Sequence, residues 1–417
     1  MIKIIHTADW HLGQNFFGYD RAEEHEHFLA WLAGQIRELN VDALLIAGDI
    51  FDISNPSAFS QRMFYRFIHC VTIENPFLQI VIIAGNHDSA ARLEAPLPLL
   101  QEMNTHIKGV IKRVGGEIDY DDLIVELKNR EGLTEALCMA VPYLRQGDYP
   151  SVETDGNSYA EGVRTLYSSL YNKVKKRQKS GQAVIAMGHL QATGSEISET
   201  DHSERTIIGG LECVSPEVFD NGIAYTALGH IHKAQKVSGR DSVRYAGSPL
   251  SMSFAEKKYH HGVILVTLQN GILLEMEKVD YTPLVSLISV PSIPQPPETV
   301  LAELKQLPET QDNLLAPFLE IKVLLQEPEP SLKQKIENIL SSKHVRLARI
   351  ISTYLTGDEN PSGGIELYEG LQDMNPLQIA QITFRNKYQT EMPDELIGLF
   401  LEVCMAVSVS QKQEDKR

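Results

Sequence analysis

Short apolar runs alternate with longer amphipathic stretches over residues 1–280 of the chain. The short runs end in Gly or a small residue, which is typical of buried strands, and the longer stretches repeat apolar residues at helical spacing. The predicted strands are Ile2–His6, Ala43–Ala47, Gln79–Ala84, Ala136–Val141, Ala183–Met187, Ile223–Ala227 and Gly262–Thr267, and the predicted helices are Glu23–Leu39, Ser57–Val71 and Tyr159–Lys179. This alternation predicts an α/β domain with helices over its sheets.

A second, smaller pattern follows residues 271–282, which we interpret as a boundary because a Gly turn precedes charged and polar residues. Its predicted strands and helices are Val285–Val290, Glu298–Leu307, Phe318–Leu325, Ser331–Ser341 and Val345–Tyr354. An extended, proline-rich linker occupies residues 292–298. We therefore predict a first domain over residues 1–282 and a small α/β domain over residues 283–356.

A helix pair is predicted near the end of the chain, over residues 373–408. Asn375 and Pro376 form an N-cap followed by proline at the first helical position, and Pro393 opens the second helix. The second helix is apolar over much of its surface through Leu396, Ile397, Phe400, Leu401, Val403 and Cys404. Two interpretations stay open: this helix packs on its own domain, or it forms a docking surface for a helix of a partner.

The composition narrows the class of protein. The chain has 417 residues, of which 43% are hydrophobic and 22% charged, as is ordinary for a globular protein of two or three domains. Its four cysteines form no CxxC pair, which argues against a disulfide scaffold and a cysteine-based zinc site. The N-terminus lacks the apolar core of a signal peptide, and no apolar run is long enough to span a membrane. We expect a cytoplasmic protein with no membrane contact.

Residues of the types that bind metals follow five of the predicted strands. They are Asp9 and His11, then Asp49 and Asp52, then Asn86, His87 and Asp88, then His189, and finally His230 and His232. Because ligand sites of α/β sheets lie at the carboxyl ends of strands, these loops can converge on one place. Carboxylate, imidazole and amide groups together suit a pair of divalent ions such as Mn, Fe or Zn better than Mg or Ca.

The series DxH, GDxxD, GNHD, GH and GHxH resembles the calcineurin-like metallophosphoesterase superfamily. Within it, the segments KIIHTADWHLG, GDIFD, GNHDS, GHIHKAQ and YAGSP resemble the SbcD family, the nuclease subunits of bacterial SbcCD DNA-repair complexes. The resemblance covers nearly the whole chain. It implies a metallophosphoesterase β-sandwich flanked by helices, a small α/β capping domain that contributes to DNA binding, and a C-terminal helix pair that docks an ATPase.

The resemblance also assigns roles to individual residues. One metal would be held by Asp9, His11, Asp49 and His232, and the other by Asn86, His189, His230 and the same Asp49, which would bridge the pair. His87 would not be a ligand but would stabilise charge on the phosphate or protonate the leaving oxygen. Its side chain should point away from that of the adjacent Asn86 on an extended loop. Asp52 would orient or polarise His87, although a loop cap is the alternative for this residue.

The implied function is that of a metal-dependent DNA nuclease that acts as a double-strand exonuclease and as a hairpin and single-strand endonuclease. It would use two Mn²⁺ ions and work with the coiled-coil ATPase SbcC in DNA repair, replication and recombination, as a homodimer within a heterotetramer. The chain carries no GxxxxGK[ST] phosphate loop, so ATP hydrolysis would come from the partner. The net charge of -17 does not exclude DNA, because carboxylates that hold metals do not repel phosphate.

DNA contacts are expected at the backbone rather than at the bases. The candidates lie in loops beside the metal ligands and are Gln14, Asn15, Arg92, Lys233 and Ser248. The basic run at residues 173–179 is interpreted as a solvated helix end.

Two other functions stay open. One is a small-molecule metallophosphodiesterase of the same superfamily, which would have no evident need for a docking helix pair. The other is a non-catalytic scaffold, which would have no need for a proton donor such as His87.

Overall fold

The computed structural model describes residues 1–154, 157–196, 213–309 and 315–354, together with isolated positions between residues 377 and 400. The helices are α1 (Ala22–Glu38), α2 (Ala58–Glu74), α3 (Ala90–Glu94), α4 (Leu97–Leu100), α5 (Ser158–Arg177), α6 (Pro297–Lys305) and α7 (Leu332–Leu340), with short 3-10 turns at Gln101–Met103, Pro216–Val218 and Phe254–Glu256. The strands are β1 (Ile2–Thr7), β2 (Asn15–Phe16), β3 (Tyr19–Asp20), β4 (Ala43–Ala47), β5 (Gln79–Ile83), β6 (Thr105–Lys108), β7 (Arg113–Val114), β8 (Glu117–Ile118), β9 (Ile124–Lys128), β10 (Thr134–Ala140), β11 (Ala183–His189), β12 (Gln191–Ala192), β13 (Cys213–Val214), β14 (Tyr225–Gly229), β15 (Gln235–Val237), β16 (Arg240–Tyr245), β17 (Gly262–Gln269), β18 (Ile272–Asp280), β19 (Leu287–Ser289), β20 (Phe318–Leu325) and β21 (Arg346–Tyr354).

Two six-stranded sheets form the larger part of the fold. The first sheet has the order β18-β17-β1-β4-β5-β6, and the second has the order β15-β16-β14-β11-β10-β9. In the first, β1, β4, β5 and β6 run parallel. At one edge, β17 pairs antiparallel with β1, and β18 pairs antiparallel with β17. In the second, β10, β11, β14 and β16 are parallel, with antiparallel strands at both edges. The carboxyl ends of the parallel strands are therefore available to build one site.

The apolar pattern of the strands explains how these sheets stack. Successive side chains of a strand point to opposite faces. In β4, Leu45 packs between the two sheets, whereas Leu44 packs outward against α1 and α2. In β11, Ile185 likewise packs between the sheets, and Val184 packs outward against α5. Because both strands are buried on both faces, the result is a β-sandwich flanked by helices, and the expected α/β class is confirmed.

Local caps explain where the long helices begin. The Ser57 hydroxyl accepts a hydrogen bond from the Ser60 N–H at 3.1 Å at the start of α2. The Asn157 side chain accepts one from the Ala160 N–H at 3.1 Å at the start of α5. Such caps satisfy N–H groups that have no partner within the helix. The end of α5 carries the basic run, where Lys173 lies 2.8 Å from Asp121 at the surface.

One segment differs from its sequence interpretation. Residues 271–282, which the sequence pattern marked as a boundary, contain the nine-residue strand β18, paired antiparallel with β17. As an edge strand it is mostly exposed, and its charged residues face solvent, so it lacks the continuous apolar run of a buried strand. The edge strands β9 and β15 carry mixed polar residues for the same reason and were also missed, as was β16, which lies next to the edge.

The chain divides into two compact units. The first is Met1–Ser289 with Gln306–Glu320 and Ile339–Arg349, and it contains both six-stranded sheets. The second begins at Val290 and includes α6 and most of α7. Its buried apolar residues include Val300, Leu304, Ile321, Val323 and Ile336. The domain boundaries predicted from the sequence, residues 1–282 and 283–356, stay a prediction.

Most of the predicted helix pair at residues 373–408 lies outside the described residues. The helical positions described there are Leu377, Ala380, Gln381, Phe384, Arg385, Leu396, Ile397, Leu399 and Phe400. Across the part of the chain that the structure describes, no helix has the length and apolar character needed to cross a membrane.

Candidate metal centre

The predicted ligands come together where the two sheets meet at the carboxyl ends of their strands. The loops after β1, β4 and β5 of the first sheet supply Asp9 and His11, then Asp49, then Asn86. The end of β11 and the loop after β14 supply His189, His230 and His232 from the second sheet. We call these two sets the first-sheet loops and the second-sheet loops. The first contributes all the oxygen ligands and the second only imidazoles.

Asp49 lies between two histidines. Its Oδ2 is 3.7 Å from Nε2 of His11 and 3.4 Å from Nε2 of His189. Ligand atoms of Asp9, Asp49 and His189 all lie within 4.8 Å of one another, and those of Asp9, His11 and His232 form a second such group. Asp49 therefore has the position that a bridging ligand would need, and the bridge itself stays a prediction.

Asn86 joins the histidines of the second-sheet loops. Its Oδ1 is 2.9 Å from Nε2 of His189 and 3.1 Å from Nδ1 of His230. Nδ1 of His189 donates to the carbonyl of Ala47 at 2.8 Å. In a neutral ring the lone pair then lies on Nε2 and faces the oxygens of Asp49 and Asn86. A ring nitrogen directed at oxygen atoms alone needs a proton or a cation between them.

Buried polar atoms without partners indicate a cation at the same place. Among the described residues, Oδ2 of Asp9 and both ring nitrogens of His11 are buried and accept or donate no hydrogen bond. Leaving such groups unsatisfied costs about 1 to 3 kcal/mol each, and more for a charged one. A divalent ion removes this cost, and the mixed oxygen and imidazole donors suit such an ion. The residues present therefore fit divalent metal ions.

Burial and the neighbouring ligands shift the pKa values of the ligands in different directions. Burial alone would raise the pKa of Asp49, but His189 and His11 outweigh it and hold that pKa well below its ordinary value. Burial raises the pKa of Asp9, while His189 and His232 oppose the rise. Burial would lower the pKa of His189, yet the carboxylates of Asp49 and Asp9 raise it to about 9. Burial, together with His189, lowers the pKa of His230 to about 3, so this ring is neutral and able to bind a metal.

The backbone of the site is strained. Asp9, His11, Asp49 and His230 have φ angles of +54°, +46°, +50° and +100°, in or near a region that side-chain-bearing residues rarely adopt. Each such residue costs about 1 to 3 kcal/mol and persists only where surrounding structure holds it. Backbone hydrogen bonds from the Asp9 N–H to the Gly48 carbonyl and from the His11 N–H to the Asp49 carbonyl, both 3.0 Å, do so here.

Three glycines let the loops approach one another. A Cβ at Gly85 would lie 2.1 Å from Oδ1 of Asp49, and one at Gly48 would lie 2.2 Å from Nδ1 of His189. A Cβ at Gly229, at the end of β14, would lie 2.0 Å from the carbonyl oxygen of Ala47. At Gly229 of the second sheet, an added side chain would meet the backbone of the first sheet. Glycine is therefore required on both sides of the centre.

His87 lies beside the ligands and is only partly buried. Its N–H donates to Oδ1 of Asp49 at 2.9 Å, and its ring lies 4.9 Å from that of His11. Nδ1 of His87 is 2.7 Å from the backbone carbonyl of Asp52, to which it can donate. The Asp52 carboxylate is 3.3 Å from Nδ1 of His11. The Asp52 carboxylate and the rings of His11 and His87 each place one atom within 4.8 Å of the others, so the orienting role of Asp52 stays a prediction.

Two carboxylates that sequence reasoning left without a role are fully buried beside the centre. Asp88 accepts hydrogen bonds from the N–H groups of Ile50, Phe51 and Gly85, at 3.2, 3.0 and 2.9 Å. It thereby ties the loop after β4 to the loop after β5, and burial raises its pKa to about 6. Asp88 was visible in the GNHD motif. Glu256, 3.0 Å from Nδ1 of His232, belongs to none of the motifs, so the sequence did not indicate a role for it.

The candidate DNA contacts differ in accessibility. Asn15 and Arg92 are exposed. Lys233 is partly buried and paired with Glu196 at the surface. Ser248 is 1% exposed and donates to the carbonyl of Leu250, so it is a structural residue and not a surface contact.

The comparison with protein families decides what kind of site this is. The family model for calcineurin-like phosphoesterases matches residues 2–234, which include every predicted ligand. The chain belongs to this family. A second family model, described as the C-terminal domain of a type 5 capsule protein repressor, matches residues 283–388.

Several curated relatives of this phosphoesterase are named as the SbcD subunit of the nuclease SbcCD. The protein from Rhodobacter capsulatus is 35% identical over 357 residues, which cover 84% of this chain and 87% of the relative. The Escherichia coli K12 protein is 31% identical over 83% of this chain and 84% of its own length. The Bacillus subtilis protein is 32% identical over 65% of this chain and 67% of its own. Among solved structures, a dimetal phosphatase from Danio rerio matches 67% of this chain and 99% of its own at 12% identity and a TM-score of 0.38.

This phosphoesterase is therefore a phosphodiester hydrolase of the SbcD nuclease family, and its centre binds divalent metal ions. The relatives favour the nuclease over the small-molecule metallophosphodiesterase, and an enzyme over the non-catalytic scaffold.

Proposed function

We propose that the chain is the nuclease subunit of an SbcCD-type complex and cleaves DNA with two Mn²⁺ ions. It would act as an exonuclease on double-stranded ends and as an endonuclease on hairpins and single strands. The observation that carries this proposal is the buried carboxylate oxygen of Asp9 and the buried ring of His11, which lack hydrogen-bond partners among the described residues. The chain that carries these residues belongs to a family in which several relatives are named as a nuclease subunit.

We assign the ligands of the two metals as the sequence resemblance implies. One ion would be held by Asp9, His11, Asp49 and His232, and the other by Asn86, His189, His230 and the bridging Asp49. The short distances from Asp49 to His11 and His189 support this division. Histidine-rich donor sets favour Mn²⁺ over Mg²⁺.

When bound, two such ions supply positive charge for the phosphate oxygens and a water of lowered pKa. His87 would contribute the proton. Because Nδ1 of His87 can donate to the carbonyl of Asp52, its Nε2 would be the atom that delivers a proton to the leaving oxygen. The Asp52 carbonyl would fix the orientation of the ring, and the Asp52 carboxylate would add negative charge beside His11.

The remaining parts of the chain would serve substrate and partner. We propose residues 1–282 as the nuclease domain, residues 283–356 as a capping domain that contributes to DNA binding, and residues 373–408 as the docking site for SbcC. The relatives' name describes one subunit of a complex, and the sequence lacks a phosphate loop of its own, which supports an ATPase partner. We further propose a homodimer within a heterotetramer, located in the cytoplasm with its DNA.

The direct test is cleavage of a hairpin DNA and of a linear duplex by the purified chain in Mn²⁺, with and without the ATPase. We expect Mn²⁺-dependent cleavage of both DNAs, with ATP stimulation on duplex ends only when the partner is present. Hydrolysis of a small phosphodiester such as bis(p-nitrophenyl) phosphate, without cleavage of either DNA, would instead support the small-molecule enzyme.

A truncation tests the docking site separately. Removal of residues 373–417 should leave Mn²⁺ binding and hydrolysis of the small phosphodiester intact, because every proposed ligand precedes residue 233. It should abolish co-purification with the ATPase. A truncated chain that still binds the ATPase with full affinity would move the docking site elsewhere.

A further inference from the structure

Glu256 makes an unusual contact with one of the proposed ligands. It ends the 3-10 turn Phe254–Glu256 and is completely buried. Its Oε1 lies 3.0 Å from Nδ1 of His232, and its Oε2 accepts a hydrogen bond from the Met252 N–H at 2.7 Å. A buried carboxylate is costly to keep, so its position against a ligand calls for a role.

The two contacts of Glu256 bear on the tautomer of His232, because Glu256 can act on this ring as an ionised carboxylate. An ionised carboxylate only accepts hydrogen bonds, so Nδ1 of His232 must be the donor. The lone pair of the neutral ring then lies on Nε2. A ring nitrogen of His232 belongs to the group with Asp9 and His11 whose ligand atoms lie within 4.8 Å of one another. A carboxylate behind a ligand histidine also makes the ring a stronger donor to a metal.

Hydrogen bonds to other parts of the chain hold the segment that carries Glu256. The Ser251 hydroxyl lies 2.9 Å from Nε2 of His261, and Nδ1 of His261 donates to the carbonyl of Ser248 at 2.8 Å. The carbonyl of Ser251 accepts from Arg21 at 2.7 Å. Glu256 is thus fixed from both sides of its turn, and it can in turn fix the ring of His232.

The proposed ligands of the second metal have no equivalent contact among the described hydrogen bonds. His189 donates Nδ1 to the neutral carbonyl of Ala47, and Nδ1 of His230 faces the amide oxygen of Asn86. Nδ1 of His189 also lies 3.9 Å from a carboxylate oxygen of Asp9, which is beyond hydrogen-bond distance. Among the described histidine ligands, these hydrogen bonds therefore place a carboxylate directly on a ring nitrogen only at His232.

We propose that Glu256 is a positioning residue that holds His232 in its Nδ1–H form, so that the metal position of Asp9, His11, Asp49 and His232 depends on Glu256 and the other does not. This inference rests on the ligand assignment proposed above.

The substitution Glu256→Gln tests the inference with little change in shape. An amide has one oxygen, so it can accept from His232 or from Met252 but not from both. The matched control is Asp42→Asn, because Asp42 is also a buried carboxylate but accepts from the Lys3 N–H at 2.8 Å and touches neither a proposed ligand nor the segment of Glu256. Mn²⁺ titrations followed by the electron paramagnetic resonance of the free ion give both dissociation constants without any activity measurement.

We expect Glu256→Gln to raise one of the two dissociation constants by about 10- to 100-fold, the range for such outer partners, and to leave the other within about twofold. Asp42→Asn should change neither. Unchanged constants in Glu256→Gln, or an equal rise in both, would overturn the inference while leaving the proposed function intact. A wild-type chain that binds fewer than two ions would overturn the ligand assignment and the inference with it.

A second measurement uses the wild-type chain and does not depend on the variant folding. Long-range ¹H–¹⁵N spectra of ¹⁵N-histidine-labelled protein loaded with Zn²⁺ distinguish a protonated Nδ1 from a metal-bound one. We expect Nδ1 of His232, assigned by comparison with His232→Gln, to carry the proton. A proton on Nε2 would refute the role of Glu256.

Discussion

The first-sheet loops and the second-sheet loops hold their ligands in different ways. In the first-sheet loops, main-chain hydrogen bonds and the carboxylate of Asp88 tie neighbouring loops together, and three of the ligands have left-handed backbone. In the second-sheet loops, each histidine is oriented by an acceptor from another part of the chain, such as Ala47 for His189 and Glu256 for His232. Damage to the first set should therefore spread through the centre, whereas damage to the second should stay local.

The largest expected effect is that of Asp49→Ala. Asp49 is the proposed ligand of both ions and lies between His11 and His189, so its loss should remove both metals and all detectable cleavage. Metal content after reconstitution with Mn²⁺ measures this. His230→Gln, in the second-sheet loops, is the contrasting variant and should lose only one ion. If Asp49→Ala keeps one ion, Asp49 does not bridge.

His87→Gln should have the next largest effect and separate chemistry from metal binding. Because His87 is not a proposed ligand, the variant should keep both ions and bind DNA normally. Its cleavage rate should fall by roughly 10²- to 10⁴-fold, the usual contribution of a general acid or base. Single-turnover cleavage and Mn²⁺ content together test this. A variant that loses an ion would show that His87 binds metal.

Asp88→Asn tests whether the hydrogen bonds of Asp88 hold the first-sheet loops together. One carboxylate oxygen of Asp88 accepts from the Ile50 and Gly85 N–H groups and the other from the Phe51 N–H, so the N–H₂ of asparagine would face at least one of these donors. The free energy of unfolding should fall by about 3 kcal/mol, since each unsatisfied buried donor costs about 1 to 3 kcal/mol. Urea unfolding measures this loss, and the exposed Asp241→Asn serves as a neutral control. An unchanged free energy of unfolding would mean that the loops do not depend on the hydrogen bonds of Asp88.

The smallest expected effect concerns the contact between the two sheets. His6 of the first sheet is fully buried, and its Nδ1 lies 2.8 Å from the hydroxyl of Tyr225 in the second. Burial lowers the pKa of His6 from 6.5 to about 3, against a smaller opposing effect of the Leu228 carbonyl. The unfolded chain therefore binds more protons between these values, and stability must fall as pH drops below 6.5.

The fall attributable to His6 should reach about 2 kcal/mol between pH 7 and pH 5. Urea unfolding at both pH values measures it, and His6→Gln should lose that part of the pH dependence. An identical pH dependence in the variant would show that His6 is not the titrating group.

Much of the centre was predictable because each ligand stands within a few residues of a strand end. The strand Ala43–Ala47 and the loop with Asp49 are local features of one short segment. The partners of the ligands are not local: Ala47 precedes His189 by 142 residues, and Glu256 follows His232 by 24. No periodicity connects such pairs. The role of the Asp52 carbonyl was also invisible, because every residue has a carbonyl group.

The contact of Gly229 with Ala47 has a consequence for the dimensions of the centre. A Cβ at Gly229 would lie well inside van der Waals distance of the Ala47 carbonyl oxygen, so the two main chains leave no room for a side chain there. Any side chain at Gly229 would act as a wedge and push the two sets of loops apart. Substitution of Gly229 can therefore widen this centre but cannot narrow it.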